Sequence, residues 1–294
     1  MSEQTKAAMD TTLILRDGRT LAWCDYGDRD GTPVLRLQGT PASRLFRYPH
    51  PELWEELGVR VLMADRPGYG GSSRLPGHGL VEVTEDLVEL LDAEGIDRVR
   101  IVGYSGGGPY VLALCARYPD RVRAASVVVG VAPLEDDDVP LLIGLNAEGY
   151  LRISSGGWQA LYELLDQQRS ALLEDPLAGF RTWMERAPAA DRAVMSEPAW
   201  QETMTVSIRE ALRPGAQGWT DDSLAVFSPW DFAPETVDVH VVWWHGRHDF
   251  NCPLQAVERV VARMPDVDLR VWEEAGHLEP YHRERDILTD VLSR

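Results

Sequence analysis

The feature that most restricts how this chain can fold is an alternation. Val59–Met63 (VRVLM), Val99–Val102 and Val122–Val131 are short runs of β-branched and aliphatic residues. Beside them stand segments with helical spacing: Pro51–Leu57, Val81–Glu94 with Val83, Leu87, Leu90 and Leu91, and Pro109–Tyr118. Unbroken apolar strands separated by amphipathic helices predict an α/β fold, a mostly parallel central sheet flanked by helices on both faces. Upstream, Thr11–Leu15 and Thr20–Tyr26 flank the turn residues Arg16-Asp17-Gly18-Arg19 and predict a hairpin, with Pro33–Leu37 as a third strand.

The alternation stops at about Ala132. It resumes with a strand at Val239–Trp244, a helix at Leu254–Met264, a strand at Asp268–Trp272 and a closing helix from about Arg283. The intervening stretch is acidic, helical in pattern and rich in tryptophan: Trp158, Trp183, Trp200, Trp219 and Trp230 all fall in it. This divides the chain into a first core part (1–131), an inserted helical cap or lid (132–235) and a second core part (236–294). A length of 294 residues with 44% hydrophobic content suits one large domain carrying an insertion.

Charge narrows the partners. A net charge of −18 argues against nucleic acid and anionic membrane surfaces, which are bound through clustered Lys and Arg. Cys24, Cys115 and Cys252 are too few and too scattered for a disulfide framework or a zinc site. No run of apolar residues is long enough to span a membrane, and MSEQTKAAMD lacks the apolar stretch of a secretory signal. The expectation is a cytoplasmic protein acting on a small molecule, with the oligomeric state left open.

Gly103-Tyr104-Ser105-Gly106-Gly107 matches G-x-S-x-G and lies between a predicted strand and a predicted helix. A strand that turns at once into a helix forces the central serine into strained backbone geometry and needs glycines on either side for clearance. Ser105 would then stand at a helix N-terminus, where the dipole and free N–H groups favour developing negative charge. The plainer alternative is a glycine-rich turn without chemistry.

A serine hydroxyl needs a base to take its proton. His277, in Glu273-Glu274-Ala275-Gly276-His277-Leu278 between the last strand and the last helix, is the best candidate. Asp249, which follows Val239–Trp244 through His245-Gly246-Arg247-His248, is the candidate acid to orient it. Asp136, Asp137 and Asp138 are its rivals. The spacing of His245 and His248 invites a metal reading, but no carboxylate stands at helical spacing beside them, so no metal and no cofactor are expected. Acyl transfer also requires an oxyanion hole, for which the Gly106 amide and the Gly39-Thr40 loop, chiefly the Thr40 amide, are candidates.

These pieces together resemble the α/β-hydrolase superfamily, and within it the lid-bearing alpha/beta-hydrolase-1-type enzymes. The matching segments are Gln38-Gly39-Thr40-Pro41-Ala42-Ser43-Arg44, Asp65-Arg66-Pro67-Gly68-Tyr69-Gly70-Gly71-Ser72-Ser73, Gly103–Gly107, Trp244–Asp249 and Gly276-His277. The resemblance implies an α/β-hydrolase fold and a Ser105–Asp249–His277 triad cleaving a carboxylic ester, lactone or thioester. A C–C bond hydrolase, an aminopeptidase or a non-hydrolytic member of the fold remain alternatives. The chain departs from the family at Gln38, where His is usual; Gln38 is expected to support the oxyanion loop through side-chain hydrogen bonds. Asp65–Ser73 is expected to be structural, and the Trp-rich cap to offer apolar contacts to substrate.

Overall fold

The computed structural model describes residues 9–294; the N-terminal segment read above for a targeting signal lies outside them up to Ala8. Its strands are β1 (Met9–Ile14), β2 (Thr20–Gly27), β3 (Thr32–Leu37), β4 (Val59–Ala64), β5 (Val99–Tyr104), β6 (Val122–Val128), β7 (Val241–Gly246) and β8 (Val267–Trp272). They form a single eight-stranded sheet in the order β1-β2-β4-β3-β5-β6-β7-β8. Only the β1–β2 and β2–β4 pairings are antiparallel; every pairing from β4 through β3 to β8 is parallel. The hairpin and the parallel sheet are therefore as the sequence pattern implies.

The helices that cover this sheet are α1 (Glu52–Glu56), α2 (Leu80–Ala93), α3 (Gly108–Arg117), α9 (Leu254–Val261) and α10 (Glu284–Ser293). Alternate strand residues feed opposite faces. Leu35, Leu62, Ile101, Val127 and Trp243 pack with α2, α3 and α9, through side chains such as Leu87, Leu114 and Val257. Val34, Val61, Met63, Val102 and Val128 pack on the other face with Trp54 of α1 and Ile287 and Val291 of α10. Both faces being buried explains why these strands read as unbroken apolar runs rather than alternating ones.

One strand is shorter than its apolar run. Val122–Val131 ends as a strand at Val128, because Val129 adopts φ 44° and the chain turns away from the sheet. The Val131 amide then donates to the Ser105 carbonyl (3.1 Å). The Val129 amide still donates to the Trp244 carbonyl of β7 (2.8 Å), and Val129 and Val131 stay buried beyond the end of the strand.

Between β6 and β7 the chain forms a short 3₁₀ turn (Asp136–Leu141) and five inserted helices: α4 (Leu145–Glu174), α5 (Ala178–Met184), α6 (Ala189–Ser196), α7 (Pro198–Ala211) and α8 (Gln217–Phe227). The α4 helix breaks at Gly157, whose φ of 59° suits a residue without a Cβ. The insertion has an apolar cluster of its own, with Leu161, Leu165, Ile208, Leu212 and Trp219 packed around Tyr69 of the β4–α2 loop. Among the described residues, no helix is long and apolar enough to cross a membrane.

Candidate active site

Ser105 stands where β5 ends. A single 3₁₀ turn, Ser105–Gly107, leads into α3, and Ser105 has φ 51°. A left-handed conformation is costly for a residue with a Cβ, and such strain is stored where a side chain must be displayed. The flanking glycines make the turn possible. A Cβ on Gly103 would lie 2.5 Å from the Gly107 carbonyl and from Val111, and one on Gly107 would lie 2.5 Å from the Leu37 carbonyl. Gly39 approaches from the other side: its Cβ would stand 3.2 Å from that of Ser105.

The loops after β7 and β8 bring Asp249 and His277 to this serine. His277 Nε2 lies 3.0 Å from Ser105 Oγ, and His277 Nδ1 lies 2.8 Å from Asp249 Oδ2. A carboxylate only accepts, so the Nδ1 proton faces Asp249 and Nε2 is left to accept from the serine hydroxyl. The other carboxylate oxygen, Asp249 Oδ1, accepts from the amides of Asn251 (2.8 Å) and Cys252 (2.9 Å). Burial disfavours the imidazolium, yet the Asp249 charge and hydrogen bond outweigh it, with a smaller contribution from Asp191, and hold His277 above its ordinary pKa of 6.5. Burial likewise opposes ionisation of Asp249, and His277 overcomes it and lowers the carboxyl below its ordinary value. The rival Asp138 is turned elsewhere: it accepts from Gln255 Nε2 (2.6 Å), the Glu135 amide (2.8 Å) and Arg259.

The candidate oxyanion residues face the serine turn. A Cβ on Gly106 would overlap Thr40 Oγ1 and lie 3.3 Å from the Thr40 amide nitrogen. The support expected from the Gln38 side chain is a correction. Gln38 Oε1 accepts from Arg36 Nη1 (2.7 Å), and Gln38 Nε2 has no partner among the described residues. Arg36 belongs to a buried cluster on the far face, paired with Glu284 (3.1 Å), which also accepts from Trp54 and Tyr104. The loop is held by Arg66 instead. Its Nη1 donates to the Gln38 carbonyl (2.6 Å) and its Nη2 to the Gly39 carbonyl (2.8 Å) and Thr40 Oγ1 (2.8 Å). A guanidinium presents five donors in a fixed fork and can grip several carbonyls together; a glutamine amide cannot. Asp65 is also structural, accepting from the Arg44 amide and guanidinium (both 2.6 Å) and the Gly71 amide (2.9 Å).

Comparison with known proteins identifies the family. Residues 32–280 match the family model described as the alpha/beta hydrolase fold. The chain belongs to the alpha/beta hydrolase fold family. It is 30% identical over 280 residues to a 2-hydroxymuconate semialdehyde hydrolase of Pseudomonas putida, covering 92% of this chain and 89% of that one. With an uncharacterized hydrolase of Bacillus subtilis it shares 32% identity over 114 residues, 39% of either chain. Among solved structures, an esterase of Exiguobacterium antarcticum superposes with a TM-score of 0.70 at 22% identity, covering 97% of this chain and all (100%) of that one.

In this alpha/beta hydrolase, Ser105 and His277 open onto a cavity of about 660 Å³ between the sheet and the inserted helices. Its walls are mostly apolar, with Phe46, Phe180, Trp183, Ile208, Trp219 and Tyr281 among them. Of the inserted tryptophans only Trp183 and Trp219 line it. Trp200 packs against Phe46, Tyr48 and Tyr281, Trp158 stacks on Tyr162, and Trp230 stacks on Phe232.

The spacing of His245 and His248 does not make a metal site. His245 is buried with Nε2 2.8 Å from the Cys252 carbonyl, and His248 lines a separate surface cleft. Among the described residues, the donors close enough to share an ion are Asp249, Cys252 and His277, within 4.8 Å of one another. An ion held by these three groups would need the Cys252 thiol to give up its proton. Burial raises the Cys252 thiol well above its ordinary pKa, so this set fits a proton relay better than a metal.

Sequence reasoning missed two carboxylates of the insertion, Asp191 and Asp222, both fully buried. Asp222 had a weak signal, the acidic pair Asp221-Asp222 set between the apolar residues Trp219 and Leu224. Asp191, in Ala189-Ala190-Asp191-Arg192, reads as an ordinary solvated helix acid.

Proposed function

We propose that this protein is a serine hydrolase cleaving a carboxylic ester, or a lactone or thioester, through an acyl-enzyme. The observation that carries this reading is the unbroken relay from Ser105 Oγ through His277 to Asp249, on a strained serine facing a largely apolar cavity. The Ser105 oxygen attacks the carbonyl carbon while His277 Nε2 takes its proton. The negative charge on the former carbonyl oxygen is met by the Gly106 and Thr40 amides, each such donor typically stabilising the transition state by about 3 kcal/mol. The tetrahedral intermediate collapses, the C–O bond breaks, and His277 returns the proton to the departing alcohol. Water then bonds to the acyl carbon as it loses a proton to the same nitrogen, the bond to Ser105 Oγ breaks, His277 returns the proton to Ser105, and the acid is released.

The inserted helices act as a cap that sets specificity. Their aromatic lining favours neutral substrates of small to medium size with apolar parts, and the net charge of −18 disfavours polyanions at long range. Neither nucleic acid nor a membrane is a partner in this reading. The free, buried Cys24, Cys115 and Cys252 suit a reducing cytoplasm.

One observation favours a second reading, C–C bond hydrolysis: the relative named 2-hydroxymuconate semialdehyde hydrolase matches along 92% of this chain. Steady-state assays on a panel of nitrophenyl esters, lactones, thioesters and vinylogous 1,5-diketones separate the two. The ester reading predicts the highest kcat/KM among the oxygen and sulfur esters. Preference for the diketones by an order of magnitude would refute it.

A further inference from the structure

The inserted helices reach the site with charged side chains as well as aromatic ones. Asp191, in the first turn of α6, accepts three backbone N–H groups around the candidate base: Gly276 (2.9 Å) and Glu279 (3.1 Å) on Oδ1, and Leu278 (3.0 Å) on Oδ2. The fit allows no side chain at Gly276, where a Cβ would lie 2.5 Å from Asp191 Oδ2. Asp222, in α8, sits at the centre of a second network. It accepts from Thr40 Oγ1 (2.6 Å), Arg66 Nε (2.7 Å) and Nη2 (2.8 Å), Tyr69 Oη (3.0 Å) and Tyr110 Oη (2.8 Å). Those partners belong to the oxyanion loop, the β4–α2 loop and the helix that follows the nucleophile.

We propose that the insertion carries two positioning carboxylates, Asp191 holding the His277 loop and Asp222 holding the oxyanion loop. The inserted helices then complete the machinery as well as roof the pocket. This rests on the reading of Ser105 as a hydrolytic nucleophile. Both positions require a carboxylate. An asparagine in either place has the same shape, but it offers one acceptor oxygen and turns an NH₂ group toward donors that then lose their partner.

The two contacts differ in consequence. Asp222 faces a paired arginine and hydroxyl groups, so its loss misaims the Thr40 amide and leaves the base untouched. Asp191 faces the base's own loop. The titratable groups around His277 are His245 at the end of β7, Asp249 and Cys252 in the loop that follows, and Asp191 from α6, with Tyr281 lining the same cavity. Among these, Asp249 and Asp191 raise the imidazole's affinity for a proton. Removing the Asp191 charge therefore moves the protonation of His277 to lower pH.

The test uses full-length Asp191→Asn and Asp222→Asn with one activated ester across pH. On the same samples, the His277 imidazole is titrated by NMR and amide exchange is followed at residues 39–41. In Asp222→Asn, kcat falls about 10- to 100-fold with KM nearly constant, exchange at 39–41 accelerates, and the pH midpoint stays. In Asp191→Asn, kcat falls and the midpoints of both activity and the NMR titration move to lower pH. If either variant does not fold, conservative ones decide. Thr40→Val, which removes the hydroxyl that donates to Asp222, lowers kcat at nearly constant KM and accelerates exchange at 39–41, and Asp191→Glu lowers kcat while keeping the midpoint. Unchanged kcat, titration and exchange in the folded variants overturn the proposal. A wild-type protein that no fluorophosphonate labels refutes only the hydrolase reading, since titration and exchange still report on both carboxylates.

Discussion

Ser105 is held from below and from above by different physics. Below, where β5 turns into α3, the supports are glycines and aliphatic side chains in close contact: Gly103 against Gly107 and Val111, and Gly107 against the Leu37 carbonyl. Above, where the insertion meets the loops, the supports are buried charges: Asp222 with Arg66 at the oxyanion loop, and Asp191 on the amides around His277. Close packing admits one backbone path and little else. Buried ion pairs fix geometry only while both partners and their hydrogen bonds are intact, and removing one partner leaves the other exposed to the full cost of burial. The floor should thus respond to side-chain size, and the upper supports to charge.

The largest effect separates chemistry from both kinds of support. Asp249→Asn keeps size and removes the charge that orients His277; kcat should fall on the order of 10⁴-fold, as a comparable change does in another serine hydrolase. The pH profile gives the sign independently. His277 must be neutral to accept the serine proton, and Asp249 raises its pKa, so wild-type kcat/KM should climb with pH through a midpoint above 6.5. In Asp249→Asn the residual activity should climb through a lower midpoint. If the midpoint stays, the electrostatic account of the relay is wrong.

Next in size is the buried ion pair itself. Arg66→Met preserves length and apolar volume but leaves Asp222 without its cation, 0% exposed, with only hydroxyl donors. Breaking such a pair costs about 3–5 kcal/mol of stability. Chemical denaturation should show a lower midpoint at unchanged slope, and restoring stability with the double variant Arg66→Met/Asp222→Leu would sharpen the comparison. A single variant as stable as wild type would contradict it.

Gln38→Ala should do least. Its side chain bonds to Arg36 and not to the Gly39-Thr40 backbone, so kcat should change by less than about 3-fold, far below what one lost oxyanion donor costs. A drop of 10-fold or more in kcat at constant KM would restore Gln38 as the loop's anchor.

The floor was legible in the sequence and the upper supports were not, for the same physical reason. The elbow is local: five consecutive residues, Gly103 to Gly107, must satisfy one backbone geometry, and only glycine satisfies it at the flanks. Asp249 and His277 stand out as candidates because each follows a recognisable strand. Asp191 and Asp222 act on partners 85 and 182 residues away, and nothing near them in sequence records that pairing. The misreading of Gln38 has the same origin, since its neighbour Arg36 and the distant Arg66 compete for roles that spacing alone cannot divide. The end of β6 is overrun because Val129 and Val131 are buried although the chain leaves the strand at Val129, and hydrophobicity does not distinguish a buried strand residue from a buried turn residue.

The claim on which everything else depends is that Ser105 is an activated nucleophile. Intact-protein mass spectrometry after treatment with a fluorophosphonate, followed by peptide mapping, measures it directly. The expected result is one adduct per chain on Ser105, lost in Ser105→Ala and strongly slowed in His277→Ala. An unmodified protein, or an adduct that persists in Ser105→Ala, would contradict the account.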